Sequence, residues 1–233
     1  MIFEEQAEQW IWLVRRPQEA YYTFRDAFFE LVPEPGDGAI ELGCGEGRVS
    51  RDLKARGHRV VGVDVAPTLV AAAQELDPEG QYVVADAAAL PFRDASFDLA
   101  VAYNSLMDVD DLDGSVREAW RVLRPGGRFC ICVTHPVNDA GTFEHEEEPG
   151  SAFHIQVYRG QRQYDLTVTR DGVTMRFVSW CYPLEGYTRP LEEAGFLIEA
   201  LREPAADRSS VVPWGERRLR IPNFLMLRAL KPA

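Results

Sequence analysis

Apolar positions along residues 38–135 alternate between the spacing of strands and that of helices. β-branched or apolar runs predict five strands, at 39–42, 59–64, 82–85, 97–103 and 128–134. Between these runs the apolar residues recur at helical spacing; Val49 and Leu53, for example, share one face. Strands separated by helices form parallel crossovers, so the pattern predicts a doubly wound, mostly parallel α/β sheet with helices on both faces.

The pattern changes between residues 137 and 186. Asp171-Gly172 is a strong signal for a two-residue hairpin, and a turn centred there pairs Val168 with Met175. We expect this segment to be a β-ribbon inserted as a lid. A further half-buried strand is predicted where apolar and polar residues alternate, at Phe153, Ile155 and Val157.

Two more strands complete a predicted seven-stranded sheet. They are expected at Phe196–Glu203 and Asn223–Leu230, after a helix at Thr188–Ala194. Residues 1–35 precede the sheet and carry aromatic residues on predicted helices. We therefore expect an N-terminal helical cap at 1–35 and one domain at 36–233, with the lid at 137–186 inserted in it.

Composition narrows the class of protein. Apolar residues make up 46% of the chain, but no run approaches the roughly 20 residues of a membrane span. The acidic N-terminus lacks the features of a secretion signal, and the four cysteines show no C-x-x-C pair, so we expect reduced thiols in a cytoplasmic protein. The formal charge of −12 disfavours nucleic-acid partners. The oligomeric state stays open.

The most informative segment is the glycine-rich turn after the first predicted strand. Its spacing, Gly-x-Gly-x-Gly at 43–47, differs from the Gly-x-Gly-x-x-Gly of dinucleotide folds, and Arg48 stands where the third glycine of that fingerprint is expected. Glycines here let a ligand approach the backbone closely, beside the start of a helix. Glu41 adds an acceptor for a cationic group. The turn is typical of a nucleoside-cofactor loop and disfavours NAD.

Two further carboxylates follow successive strands. Asp64 ends the second strand 21 positions after Gly43, close to the offset of about 20 residues at which a carboxylate meets ribose hydroxyls. Asp86 follows the third strand and is expected to accept from an adenine amino group, while the Ala87 amide donates to the ring. Because the carboxyl ends of parallel strands meet at one edge, we expect Glu41, Asp64 and Asp86 to converge.

In this order the motifs resemble those of class I S-adenosylmethionine-dependent methyltransferases, in particular the small-molecule branch related to the ubiquinone/menaquinone methyltransferases. The resemblance is dense from Pro33 to Pro136 and implies a Rossmann-like fold with S-adenosylmethionine as the cofactor. It rests on E-L-G-C-G-E-G-R (41–48), V-V-G-V-D (60–64), A-D-A-A-A-L-P-F (85–92), S-F-D-L-A-V (96–101) and R-V-L-R-P-G-G-R-F (121–129).

The resemblance also implies roles for individual residues. Those expected to bind the cofactor are Glu41, Gly43 and Gly45 (methionine end), Asp64 (ribose), Val65, Asp86 and Ala87 (adenine), and Asn104 (near the sulfonium). The segment Tyr103-Asn104-Ser105-Leu106 departs from the Asn/Asp-Pro-Pro-aromatic motif of enzymes that methylate nucleobase or amide nitrogens. The acceptor is therefore expected to be a small molecule, methylated at O, N or C.

A general base is needed only when the acceptor carries a proton that must leave. His135 is the candidate because it follows the fifth strand, although a histidine bonded to loop backbone is an equal alternative. No metal is assigned, since the acidic residues at 108–113 fail the EF-hand spacing and the dipole of the following helix accounts for acidic residues before it; magnesium-assisted transfer stays a minor alternative. Aromatic residues that could line the acceptor pocket or close over the cofactor are Tyr22, with its neighbour Tyr21, Trp180, Tyr182 and Tyr187; ordinary packing in the core or lid is the alternative for each.

Three other functions compete with methyl transfer. An aminopropyl transferase would use the same cofactor, but it needs a set of acidic side chains in the crevice to hold its polyamine substrate. The amide side chain of Asn104 fits such a set poorly. A nicotinamide oxidoreductase is disfavoured by the glycine spacing. A non-catalytic cofactor-binding subunit that activates a partner would keep the loop, and the sequence does not exclude it.

Overall fold

The structure is a computed structural model that describes residues 2–16, 20–145, 148, 150–205 and 219–233. The helices are α1 (Ile2–Glu5), α2 (Ala7–Val14), α3 (Ala20–Phe29), α4 (Arg48–Ala55), α5 (Pro67–Leu76), α6 (Leu112–Val122), α7 (Pro136–Asp139) and α8 (Leu184–Ala194). The strands are β1 (Ala39–Leu42), β2 (Val60–Asp64), β3 (Gln81–Val84), β4 (Phe97–Tyr103), β5 (Leu123–Thr134), β6 (Gly141–Phe143), β7 (Phe153–Ile155), β8 (Arg162–Arg170), β9 (Val173–Cys181), β10 (Leu197–Arg202) and β11 (Phe224–Leu230).

Seven strands form one sheet in the order β10-β11-β5-β4-β1-β2-β3. β1 to β5 pair in parallel, whereas β11 runs antiparallel to both β5 and β10. This confirms the predicted doubly wound α/β class. The strand order reverses between β1 and β4, and in such sheets the crevice beyond the carboxyl ends of these strands is the usual ligand site.

Both faces of the sheet are covered, which explains the nearly continuous apolar runs of the central strands. All four residues of β1 are buried. Phe28 of α3 and Leu53 of α4 belong to the apolar cluster on one side, and Val116 of α6 and Leu191 of α8 belong to the other. The carboxyl ends of β1 and β4, where the ligand crevice is expected, are therefore anchored in the buried centre of the sheet.

The structure moves several predicted boundaries. β5 begins at Leu123, five residues before the predicted start, and α8 begins at Leu184 rather than Thr188. Pro183 takes an extended backbone at the N-cap of α8, and Gly195 ends that helix with a left-handed φ of 97°. The first residues of β5, which run through Pro125-Gly126-Gly127, and the start of α8 after Pro183 were both hard to recognise from apolar spacing alone.

The insertion between β5 and α8 forms two small two-stranded sheets, β6–β7 and β8–β9. In β8–β9, Val168 pairs with Met175 and the turn is at Asp171-Gly172, as predicted. The half-buried strand predicted through Val157 is wrong. β7 is only three residues long, Ile155 and Val157 are 60% and 50% exposed, and Phe153 alone is covered, packed against Phe143 with ring centroids 5.0 Å apart.

Candidate active site

The turn after β1 is shaped by three glycines with left-handed backbones. Gly43, Gly45 and Gly47 have φ values of 71°, 55° and 81°. A Cβ on Gly43 would lie 2.4 Å from the Cβ of Ser105, so no larger residue fits there. The amide of Gly43 donates to the Val63 carbonyl at 2.8 Å, which means that the turn provides space for close approach rather than a free donor at that position.

Asp64, at the end of β2, holds this turn in place. Its Oδ2 accepts a hydrogen bond from the Gly45 amide at 2.8 Å, and its Oδ1 accepts from the Ala66 amide at 3.0 Å. Burial raises the pKa of Asp64, while these two amide bonds oppose the rise. Each carboxylate oxygen keeps a second lone pair, so the side chain still has acceptor capacity toward the cavity that it lines.

A cavity of about 220 Å³ lies between the ends of β1, β2 and β4. Every residue expected to bind the cofactor lines it, except Glu41. The lining residues are Phe3, Trp10, Gly43, Gly45, Asp64, Val65, Leu69, Ala85, Asp86, Ala87, Asn104, Ser105, Asp108, Val109 and Asp110. Seven of these 15 lining residues are ones that the sequence expects to bind the cofactor, and for that reason we call this space the cofactor cavity.

Glu41 lies beneath the turn instead of in the cavity. Its side chain is buried and accepts a hydrogen bond from the Ser50 hydroxyl of α4. Burial raises the pKa of Glu41 to about 8. Strand alternation directs this side chain toward α4, so the expected direct contact with the methionine end does not fit the geometry; Glu41 supports the turn from below.

Asp86 and Asn104 approach the cavity from opposite sides. Asp86 is exposed, and its Oδ1 accepts from the Ala88 amide at 2.8 Å, which fixes the loop that presents Ala87. Asn104 follows β4 with a left-handed φ of 51°, and its backbone amide donates to the Cys132 carbonyl at 2.8 Å. Asparagine tolerates this conformation better than most residues, which explains its place at a sharp strand exit.

A second cavity, of about 600 Å³, adjoins the first; we call it the acceptor cavity because Trp180, which the sequence expects at an acceptor pocket, lines it. Four residues line both cavities, namely Phe3, Trp10, Asn104 and Asp108. The remaining wall is lined by Gln6, Met107, Thr134, Asn138, Asp139, Gly141, Thr142, Phe143, Phe153, Gln156, Arg162, Tyr164, Leu166, Met175, Arg176, Phe177, Val178, Ser179, Trp180 and Cys181. Most of these come from β6–β7 and β8–β9.

The predicted aromatic residues divide between this cavity and the surrounding core. Trp180 lines the acceptor cavity. Tyr182 and Tyr187 instead pack on each other, with ring centroids 5.3 Å apart, and neither lines either cavity. Tyr22 is 43% exposed and also lies outside both; its neighbour Tyr21 is buried and donates to Asp52 at 2.7 Å. The expected roles of these tyrosines at the site do not fit.

His135 follows β5, as the sequence predicts, but its side chain lines neither cavity, as a general base would have to. Its buried ring lies at the start of α7, where Nδ1 accepts from the Val137 amide at 3.1 Å and Nε2 lies 2.8 Å from Glu203 Oε1. Burial lowers the pKa of His135, and because Nδ1 accepts a hydrogen bond, it is Nε2–H that donates to Glu203. With both nitrogens engaged and the ring outside both cavities, His135 caps a helix.

Sequence reasoning missed two groups of site residues. Phe3 and Trp10 reach the cavities from the N-terminal helices, and no local spacing connects them to the glycine turn. Asp108 carried a visible signal, the acidic run at 108–113, but that run was attributed to the helix dipole. The dipole explanation holds for Asp111, whose side chain accepts from the Gly114 amide at the N-terminus of α6.

The N-terminal helices also contact the hairpin β8–β9 directly. The side-chain amide of Gln6 donates to the Arg176 carbonyl at 2.9 Å and accepts from the Arg176 amide at 2.6 Å. At the hairpin turn, Arg16 forms an ion pair with Asp171 at 2.6 Å. These contacts, which we call the clasp, join the two walls that stand over the cavities.

Among the described residues, no helix is both long and apolar enough to cross a membrane, and no three His, Cys, Asp or Glu side chains are grouped as metal ligands.

Comparison with known proteins connects this geometry to a family. A family model described as a methyltransferase domain matches residues 40–131. The 27-O-demethylrifamycin SV methyltransferase of Amycolatopsis mediterranei is 34% identical over 201 residues, which are 81% of this chain and 72% of that protein. The crystal structure of an S-adenosylmethionine-dependent methyltransferase from Mesorhizobium loti superposes with a TM-score of 0.75 at 25% identity, covering 89% of this chain and 97% of that one.

Other similarities are shorter. A demethylmenaquinone methyltransferase from Beutenbergia cavernae is 36% identical over 101 residues, which are 43% of this chain. The chain spans between 32% and 42% of the length of several curated relatives that it matches. The fold, the glycine turn and the similarity over 81% of the chain agree, so the chain belongs to the class I S-adenosylmethionine-dependent methyltransferases, whose methyl donor is S-adenosylmethionine.

Proposed function

We propose that this protein transfers a methyl group from S-adenosylmethionine to a small molecule bound in the acceptor cavity. One observation carries the proposal: the cofactor cavity adjoins a second cavity, and the two are both lined by Phe3, Trp10, Asn104 and Asp108. A methyl group must pass directly from the donor to the acceptor, so the two molecules have to bind in neighbouring cavities. The acceptor cavity, at about 600 Å³, is within the usual size of small-molecule sites.

The residues of the cofactor cavity fit the donor. We assign the ribose to Asp64, the adenine to Val65, Asp86 and Ala87, and the methionine part to the glycine turn and Asn104. The positive φ values of Gly43 and Gly45 leave room for close approach, and Asp64 and Asp86 keep free lone pairs. Glu41 has a supporting role in this assignment.

The protein contributes mainly position and exclusion of water. The sulfonium of the donor is already activated, so an in-line attack on its methyl carbon depends on alignment in a dry site. In the proposed arrangement the N-terminal helices (1–35) and the insertion (137–186) cover the two cavities as a cap and a lid, joined by the clasp. Relatives named for 27-O-demethylrifamycin SV and demethylmenaquinone support a small-molecule acceptor.

Titration calorimetry with S-adenosylhomocysteine tests the donor assignment. Asp64→Asn removes the charge that the ribose and the Gly45 amide share, and a lost charged hydrogen bond of about 1.5–3 kcal/mol weakens binding about 10- to 100-fold. Asp98→Asn is the matched control, since Asp98 also accepts from a backbone amide, that of Gly38 at 2.8 Å, at the far end of the sheet. Equal losses in both variants, or tighter binding of NAD, would contradict the assignment.

Methyl-labelled donor then tests the acceptor class. Incubation with a metabolite extract and with separate protein and nucleic-acid fractions should place the label in the small-molecule fraction. Label that enters only macromolecules would refute the proposal.

A further inference from the structure

One ionisable side chain stands where the two cavities meet. Of the four residues that line both, Phe3, Trp10 and Asn104 do not titrate, and Asp108 does. The reacting methyl group must cross this junction. A carboxylate there is therefore within reach of the atom of the acceptor that attacks.

The carboxylate of Asp108 is held by the hairpin. Ser179 of β9 donates its hydroxyl to Oδ1 at 2.5 Å, and the next residue, Trp180, donates its amide to the Met107 carbonyl at 2.7 Å. On the other side, the Asp108 amide donates to the Ser105 carbonyl at 2.9 Å. No described residue hydrogen-bonds Oδ2, which leaves one oxygen of a fixed carboxylate for a ligand.

We infer that Asp108 is the general base for an acceptor that attacks through a hydroxyl oxygen, and that Ser179 positions it. The inference rests on the proposed function. The hydroxyl proton passes to Asp108 as a lone pair of the oxygen forms the bond to the methyl carbon. The carbon–sulfur bond breaks with its electron pair going to sulfur. The products are the methyl ether and S-adenosylhomocysteine, and protonated Asp108 returns its proton to solvent.

The charges of the acceptor cavity favour a neutral hydroxyl. Asp108 and Asp139 line it together with Arg162 and Arg176, the last paired with Asp165 at 2.6 Å. An acceptor carboxylate would meet the two acids and would need no base, whereas an ammonium group would meet the guanidinium groups. Rings on the wall, those of Phe143, Phe153 and Trp180, suit an apolar, ring-containing body.

The protonation equilibrium of Asp108 suits this role. Burial, opposed by the hydrogen bond from the Ser179 hydroxyl and assisted by the charges of Asp64 and Asp139, raises the pKa of Asp108 to about 7. A general base works best when its pKa is close to the working pH. At a pH below its pKa the Asp108 carboxyl is protonated and cannot accept the proton of the acceptor hydroxyl. The rate of methyl transfer should therefore rise with pH and then level off.

Transfer from methyl-labelled donor to three naphthalene probes tests the inference. The probes are dihydroxynaphthalene, diaminonaphthalene and naphthoic acid. We expect label on the dihydroxy probe, a fall of about 100-fold or more in Asp108→Asn, the scale of a lost general base, and little change in the surface control Asp113→Asn. Ser179→Ala should move the break in the pH profile to higher pH, because it removes the hydrogen bond that stabilises the carboxylate.

Calorimetry separates this inference from the proposed function. Asp108→Asn should bind S-adenosylhomocysteine within about twofold of the parent, since its lost interaction is with the acceptor. A loss above tenfold would assign Asp108 to the cofactor and overturn the inference. So would an unchanged rate in Asp108→Asn, or label only on the amine or the carboxylate, or on none of the probes. Failure of the parent protein to bind S-adenosylhomocysteine would instead overturn the proposed function.

Discussion

The cofactor cavity and the acceptor cavity are built from different parts of the chain. The first is formed where β1, β2 and β4 leave the seven-stranded sheet, and its shape depends on backbone conformation and on buried hydrogen bonds such as Asp64 to Gly45. The second is formed largely by side chains of two small sheets outside the core, β6–β7 and β8–β9.

Because of this difference, binding of the methyl donor and binding of the acceptor depend on separate parts of the sequence. In the proposed function the methyl donor stays the same whatever the acceptor. The cofactor cavity is formed by residues at the ends of the buried strands, so substitutions there affect stability and donor binding together. Most of the wall of the acceptor cavity belongs to an insertion whose four described strands pair within two small sheets and not with the seven-stranded sheet. Side chains there can change with little effect on the sheet, which allows acceptor specificity to vary on a fixed donor site.

The largest effect is expected from Gly43→Ala, which tests how closely the cofactor cavity is tied to stability. The added Cβ meets Ser105 at 2.4 Å and the residue keeps a φ of 71°, so we expect a loss of about 3 kcal/mol in the free energy of unfolding. Gly126→Ala is the control, because Gly126 has a φ of 81° but open space around it, and should lose about 1 kcal/mol. Urea denaturation measures both; equal losses would contradict the steric argument.

A smaller effect concerns the buried carboxyl beneath the turn. The pKa of Glu41 is raised from 4.5 to about 8, so between these values the native state holds a proton that the unfolded chain releases, and stability falls as pH rises. Glu41→Gln should flatten that fall by up to about 1.4 kcal/mol per pH unit.

Glu118→Gln provides the opposite sign. Hydrogen bonds from Arg121 lower the pKa of Glu118, so its contribution to stability is present above the ordinary carboxyl pKa and is lost as pH falls. Urea denaturation over a series of pH values compares the two variants. The same change of slope in both would mean that the charge of Glu41 is not buried in solution.

The smallest effect tests whether the two cavities are coupled through the clasp. Gln6→Ala removes both hydrogen bonds to Arg176, and about 1 kcal/mol of net stabilisation corresponds to roughly fivefold faster dissociation of S-adenosylhomocysteine. Stopped-flow tryptophan fluorescence measures the rate, since Trp10 lines both cavities. Gln9→Ala on α2 is the control. An unchanged rate for Gln6→Ala would mean that the helices release the cofactor without the hairpin.

What the sequence predicted, and what it did not, depends on how far apart along the chain the contacting residues lie. The glycine turn, Asp64 and Asp86 were predictable because strand ends in a parallel sheet converge and the spacing along the chain is local. The register of the hairpin at Asp171-Gly172 was predictable because its turn signal is also local in the sequence.

The remaining site residues depend on contacts between distant segments. Trp10 reaches the glycine turn, and Ser179 reaches Asp108, 71 positions away along the chain. His135 and Glu41 show the reverse problem. Both stand at the positions where a catalytic or binding residue is expected, but local partners, the Val137 amide and the Ser50 hydroxyl, engage their side chains.

The four cysteines have a practical consequence for following the hairpin in motion. All are buried and unbridged, and burial raises the pKa of the Cys130 thiol to about 12 and that of Cys181 to about 11. Maleimides react with thiolates, so the native sulfurs should stay silent at neutral pH. A single cysteine introduced at exposed Thr167 would then carry a fluorophore or spin label, and opening of the site could be recorded without first removing any native residue.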